Sequence, residues 1–214
     1  MFHLPGKVEH VSIRPRMKDR TDKIIDVAIA LAEKGGFDNV RQRDVAAKAG
    51  VALGTLYKRF RSKEDILCAA LEREAQALER RMEDSPVRGE TADDRLTAFF
   101  KLVTRGFVRK PNYARAVIRA MASGVPEIAA NVLAYHGRMN GLIIAALRGT
   151  GRLGFSETTA SPPSKRESTL AMMLQQFWFA SLIGWSAGMF DENEVVDQVH
   201  RAARLLSQAL EDKE

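Results

Sequence analysis

Apolar residues recur along this chain every three to four positions, the spacing of helices with one buried face. Over about 21–34, Ile24, Val27, Ala28 and Leu31 form such a stripe. Thr21 is its candidate N-cap, Gly35-Gly36 its stop and Phe37 a core plug. Over 41–49, Val45, Ala46 and Ala49 mark one face; Gly50 can turn the chain with positive φ, and Val51 re-enters the core. Leu56 and Phe60 give 52–60 its inward side. Ser62-Lys63-Glu64-Asp65 fits a capping box in its Asp form, opening a helix that runs through Met82. Its Ile66, Leu67, Ala70 and Leu71 pack inward, and its outer end, EREAQALERRME, reads as charged and solvated. Further helical patterns cover 93–110, 112–123, 126–148, 167–190 and 195–210. Residues 149–165, rich in Gly, Ser, Thr and Pro, predict a mobile loop. No strand pattern and no internal repeat is present, so the expected class is all-α.

Two short helices joined by a glycine turn, with small, hydroxyl and basic residues outward on the second, predict a helix-turn-helix DNA reader. The stretch AAKAGVALGTLYKRFRSKEDIL is similar to the signature of TetR-family transcriptional regulators, with Leu56-Tyr57, Phe60 and Ser62-Lys63-Glu64 at the family's positions. Val40-Arg41 stand where that family often has a threonine pair, which removes a capping hydroxyl but leaves Arg41 and Arg43 for phosphate. The chemistry of the outward residues divides their roles. Thr55 and Lys58 can address base edges, Leu53 a thymine methyl, and Gly54 permits close backbone approach. Tyr57, Arg59, Lys63, Arg41 and Arg43 are placed to hold phosphates, and Gln42 stands among them.

The resemblance implies an N-terminal three-helix DNA-binding head followed by a C-terminal helical ligand-binding and dimerisation domain. The expected division is a basic arm over 1–19, flexible because it lacks periodicity and contains two prolines, a head over 20–80, and an effector domain over 81–214. Within the arm, Arg14, Arg16 and Lys18 are candidates for the minor groove, against the alternative of a solvated tail.

The eighth helix is apolar on more than one face, so it must be buried on more than one side. Small residues Ala180, Gly184 and Ala187 would admit a second helix closely. With Val199, Ala203 and Leu206 of the last helix they predict a homodimer built from two helices of each chain. The competing reading makes this helix the core of a monomer. Phe99, Val103, Phe107, Tyr113, Val117, Met121, Met139, Ile143, Phe177 and Trp178 are candidate pocket residues for a small hydrophobic effector, with simple core packing as the alternative. Arg105, Arg115, Arg119 and Arg138 read as surface, one of them available to an anionic ligand end. The W-x6-W spacing and the VALGTLYKRF stretch resemble the branch of the family that controls steroid and lipid breakdown in response to acyl-CoA esters.

Charge sharpens this picture. The chain carries +6 overall, of which 1–67 holds +5 and 68–214 holds +1. The excess sits with the motif, where neutralising phosphates releases counterions. A single cysteine, Cys68, allows no internal disulfide, and no Cys/His cluster has zinc spacing. The four histidines, His3, His10, His136 and His200, neighbour no nucleophile, and no phosphate-cradling loop or carboxylate pair is present, so neither an enzyme nor a cofactor is expected. With no signal peptide and no run of transmembrane length, the expected place is the cytoplasm, away from membranes. The expected function is a repressor that grips a palindromic operator on double-stranded DNA and is released by a hydrophobic or acyl-CoA-like effector. The alternative is a DNA-binding regulator with a filled core, switched by a protein partner.

Overall fold

The computed structural model describes residues 13–151 and 161–211. Within them lie α1 (Ile13–Gly35), α2 (Gln42–Ala49), α3 (Leu53–Arg59), α4 (Lys63–Asp84), α5 (Ala92–Val108), α6 (Pro111–Met121), α7 (Ala129–Arg148), α8 (Lys165–Ser186) and α9 (Glu192–Glu211). No strand occurs among the described residues.

Helix α1 begins at Ile13, so residues 13–19 of the expected arm are helical and Thr21 lies inside the helix rather than capping it. Pro15 occupies the first turn, where a missing N–H breaks no helical hydrogen bond; there proline starts a helix rather than signalling a coil. Residues 1–12 of the arm, and most of the loop expected over 149–165, lie outside the described residues.

The head is α1 to α3 packed on the first turns of α4. Ile24, Ala28 and Ala32 of α1 close over Val40, Val45, Ala46, Leu56, Phe60, Ile66 and Leu67, all buried. Truncating Leu56 or Ile66 to Ala should cost about 2–5 kcal/mol, the usual toll of an unfilled core. Cys68 is buried here too; desolvation pushes its thiol up to about 12, so it behaves as an apolar side chain.

Ser62 Oγ accepts the Asp65 N–H at 3.1 Å, while Asp65 reaches back to the Arg61 N–H at 3.0 Å, one residue beyond a regular capping box. The helix then leaves the head and becomes a wall of the second layer. Thus one continuous rod belongs to both halves of the molecule. Its second half packs against α6 and α7, while α5, α8 and α9 complete the body.

α8 ends at Ser186 rather than at residue 190, because Gly188 takes a left-handed conformation (φ 76). Asp191 then caps α9 by accepting from Asn193 and Glu194, both at 2.8 Å.

The start of α8 is tied to the end of α7. Arg148 holds Glu167 with two parallel bonds of 2.6 and 2.8 Å and also donates to the Ser161 carbonyl at 2.7 Å. This hydrogen bonding depresses the Glu167 pKa to about 2. A depressed carboxylate stabilises the fold above its unfolded pKa and loses that contribution as pH falls through its folded value. Stability should therefore decline between about pH 4.5 and about 2. Partial exposure discounts the pair to about 1 kcal/mol. Urea denaturation of Arg148→Ala across this window should show a correspondingly flatter acid limb than the parent.

Candidate functional site

Gly50 is the pivot of the α2–α3 helix-turn-helix. Its left-handed backbone (φ 67, ψ 37) lets its N–H bond Ala47 and the Val51 N–H bond Ala46, at 3.2 and 3.0 Å, a Schellman closure that turns α2 into α3. A non-glycine residue would be strained in this conformation. α3 buries Leu56 and leaves Gly54, Thr55, Tyr57, Lys58 and Arg59 exposed, with Leu53 half-buried. Tyr57 is 49% exposed, so its ring lies outside the core. A Cβ built on Gly54 meets nothing within 4 Å, so the fold itself does not require glycine there. Arg41 and Arg43 are exposed at the start of α2, and Arg41 makes no side-chain cap.

Two residues of the expected interface are otherwise engaged. Gln42 donates to the Phe60 carbonyl at 3.3 Å, tying α2 to the end of α3. Lys63 lies over the Phe37 ring at 3.8 Å, donates to the Phe37 carbonyl at 3.4 Å and pairs with Asp38 at 3.6 Å. The sequence reading places it among the residues that hold phosphates. The chain turns at Ser62, and Lys63 faces the loop after α1 instead.

That loop is also held from the body. Arg119 of α6 pairs with Asp38 at 2.9 Å and lies over the other contact of this corner, the Phe37 ring, at 4.3 Å. The Arg119 hydrogen bond is the chief cause holding the Asp38 carboxyl below its usual range. Glu33 of α1 accepts the Tyr113 N–H at 3.0 Å, and Asn131 of α7 donates to Asp65 at 2.6 Å. Arg138 bonds Glu72 and Glu79, so α7 meets α4 at heptad intervals through polar contacts. Head and body are therefore joined by directional bonds as well as by the continuous α4.

A cleft of about 290 Å³ opens between α4 and α5, near the lower limit of ordinary ligand sites. Of the candidate pocket residues, Val103, Phe107, Met139 and Trp178 line it. Trp178 is set by a 3.0 Å bond from its Nε1 to buried Thr104 and by contact with Phe107. The remaining candidates lie elsewhere. Phe99, Tyr113, Val117 and Ile143 are fully buried core, and Met121 packs against that core. Phe177 is 42% exposed on the outside of α8, because neighbouring helix positions point about 100° apart and Trp178 takes the inward one.

Sequence reading missed Leu71, Glu74, Leu78 and Arg81, all lining the cleft from α4. Their three-to-four-residue spacing was a usable signal, masked by the charges around it. The arginines that were singled out are engaged within the chain: Arg105 with Glu192, Arg115 with the Ser186 carbonyl, Arg119 with Asp38, and Arg138 with α4. Arg81 and Arg109 border the cleft instead, and neither has an ion-pair partner among the described residues.

The expected dimer residues divide as well. Val199 and Ala203 are buried within their own chain. Gly184 packs against Phe190, where an added Cβ would sit 2.2 Å from the ring, so its small size serves the α8–α9 turn. Ala180 and Ala187 are exposed and Leu206 is half-buried. The apolar surface left open on α8 consists of Met172, Met173, Phe177, Ala180 and Ile183, with Leu205 exposed on α9.

Among the described residues no single helix is long and apolar enough to cross a membrane. Residues 24–70 match the model described as bacterial regulatory proteins, tetR family, and residues 89–206 match the tetracyclin repressor-like C-terminal domain. The chain is 29% identical over 189 residues to the HTH-type transcriptional repressor KstR of Rhodococcus jostii, covering 88% of this chain and 83% of that protein. A TetR transcriptional regulator from Rhodococcus sp. RHA1 superposes with a TM-score of 0.72 at 23% identity, over 90% of this chain and 97% of that one. Thermus thermophilus FadR, a TetR-family repressor solved with lauroyl-CoA, gives 0.66 at 18% identity, over 87% and 92%. With the two domain models matching in order across head and body, this chain belongs to the TetR family of bacterial transcriptional regulators.

Proposed function

We propose that the protein is a dimeric repressor, released from a palindromic operator by an amphiphilic effector with an apolar body and an anionic end, of the acyl-CoA kind. The observation that carries this reading is the α4–α5 cleft. Its wall is mostly hydrophobic, it offers Arg81 and Arg109, which have no ion-pair partner among the described residues, and one side of it is the helix that leaves the helix-turn-helix unit. An effector entering there must displace α4 relative to α5, and α4 carries the head with it. The ligand shifts the DNA-binding equilibrium only as far as it prefers the displaced state. The FadR complex with lauroyl-CoA supports the effector class by analogy of fold. The cleft favours this reading over a filled-core regulator switched by a protein.

Lauroyl-CoA is the probe for a first test. It should raise the melting temperature, since it binds the native state alone, and should release a bound operator fragment. Gly106 provides the matching variant: it lines the cleft, and a Cβ there meets nothing within 4 Å. Gly106→Leu fills that space while replacing a poor helix former with a good one. Overpacking of the occupied cleft should cost about 1–3 kcal/mol, raising the lauroyl-CoA concentration needed for release about tenfold or more. Unchanged release by this variant, or no melting shift in the parent, would place the effector elsewhere.

A further inference from the structure

The cleft is apolar apart from Glu74, Arg81 and Arg109 as its charged groups and the Tyr135 hydroxyl. The arginines suit an anionic ligand end. The carboxylate does not, and an acid in a hydrophobic cleft calls for a separate explanation.

Glu74 forms no salt bridge with either arginine. Among the described residues its one hydrogen-bond donor is the Tyr113 hydroxyl, at 3.3 Å from Oε2. Lys110, Arg73 and Arg109 act on it through space only. The other oxygen is open to water and to any donor that enters the cleft. Glu74 is reachable by solvent yet crowded by protein, and this desolvation raises its pKa above the usual carboxylate value. A hydrogen bond made in such surroundings is stronger than one made in water.

An ionised carboxylate can only accept, so the group it takes must donate. An ammonium group would donate, but Arg109 on the cleft wall and Lys110 beside it already outweigh the single carboxylate, Arg73 being held by Asp26 and Asp22. A neutral hydroxyl faces no such repulsion. We infer that Glu74, held in place by Tyr113, is a specificity-determining residue that accepts a hydrogen bond from a hydroxyl on the effector. This rests on the effector-cleft reading above.

The spacing along α4 defines the ligand further. Arg81 lies seven residues from Glu74, about 10 Å along the helix axis. Arg109 is near enough to Glu74 for their charges to offset, which leaves Arg81 for the anion. The matching effector has an apolar skeleton with an anionic group at one end and a hydroxyl about 10 Å away. The same carboxylate is one step from the head, because Tyr113 also donates its N–H to Glu33 of α1.

The test compares decanoate with its ω-hydroxy derivative, titrated into the full chain at neutral pH and followed by the fluorescence of Trp178 in the cleft wall. The parent should bind the hydroxylated probe about tenfold more tightly, as for a hydrogen bond to a charged group. Glu74→Leu should abolish or reverse that preference, and Glu74→Gln, whose carbonyl still accepts, should keep part of it. Glu74→Ala serves the same purpose if the leucine variant does not fold. Equal affinity of the parent for both probes, or a preference that survives loss of the carboxylate, overturns the role of Glu74 while leaving the cleft as an effector site. If lauroyl-CoA binds and neither decanoate probe does, the inference falls alone; if none of the three binds the parent, the cleft reading falls with it.

Discussion

Replacing Phe177 or Ile183 with Glu should convert the protein to a monomer and reduce operator affinity by about two to four orders of magnitude. Both residues are more than two-fifths exposed on one side of α8, beside Met172, Met173 and Ala180. Covering such a stripe is worth about 1–2 kcal/mol for each half-exposed side chain, and a two-fold axis counts every residue twice. The same axis places each introduced carboxylate in the interface twice, at several kcal/mol apiece if it stays charged. Two heads on one dimer gain about 10²–10⁴ in affinity over a single head, and this is what the monomer forfeits. Sedimentation of the parent and variants, with operator binding at one salt concentration, is the measurement. A parent that sediments as a monomer, or a Glu variant that remains a dimer, removes α8 from the interface. Gly184→Leu is a useful contrast, because its side chain would strike Phe190 of its own chain. Its effect should appear first as lost thermal stability.

The helices were legible because their signals are local. The apolar period, Gly50 at the turn and Ser62 before α4 all act within a few residues, and each feature stands where the sequence indicates. What escaped was set by distant partners. Nothing near Lys63 in sequence reveals that Asp38 and Phe37 will meet it, and nothing near Gly184 distinguishes a partner helix from Phe190. The start of α1 was misread for another reason: proline marks a coil in one context and a first turn in another.

The cleft was legible by composition and only partly by residue. An inventory of aromatics and methionines cannot separate the wall of a cavity from a filled core, since both demand the same surface chemistry. Val103 and Phe107 line the cleft while Phe99 and Phe100, on the same helix, are core. The polar residues proved more diagnostic. Glu74 and Arg81 are exposed yet line the cleft from α4, and charges set into an otherwise apolar wall mark where a ligand can be held. The four arginines taken as candidates all satisfy carboxylates or carbonyls of their own chain.

The two kinds of DNA contact should separate in a salt titration on specific and random duplexes. Thr55 and Lys58 are exposed on α3, the helix that enters the major groove in a helix-turn-helix. Their Ala variants should lose about 1–3 kcal/mol on the preferred operator and far less on random DNA, because base-edge contacts discriminate and phosphate contacts do not. Arg43→Ala should weaken both duplexes alike and reduce the salt slope by about one unit, the signature of one phosphate neutralised. Lys63→Ala should leave that slope nearly unchanged, because its ammonium is already taken up by Asp38 and the Phe37 face. Its loss should register as a lower melting temperature, through a head–body corner that Arg119 then holds alone. Identical shifts of both curves for Thr55→Ala and Arg43→Ala would remove the distinction between readers and anchors. A full unit of slope lost in Lys63→Ala would return that residue to the phosphate backbone, with its contacts to Asp38 and Phe37 broken when DNA binds.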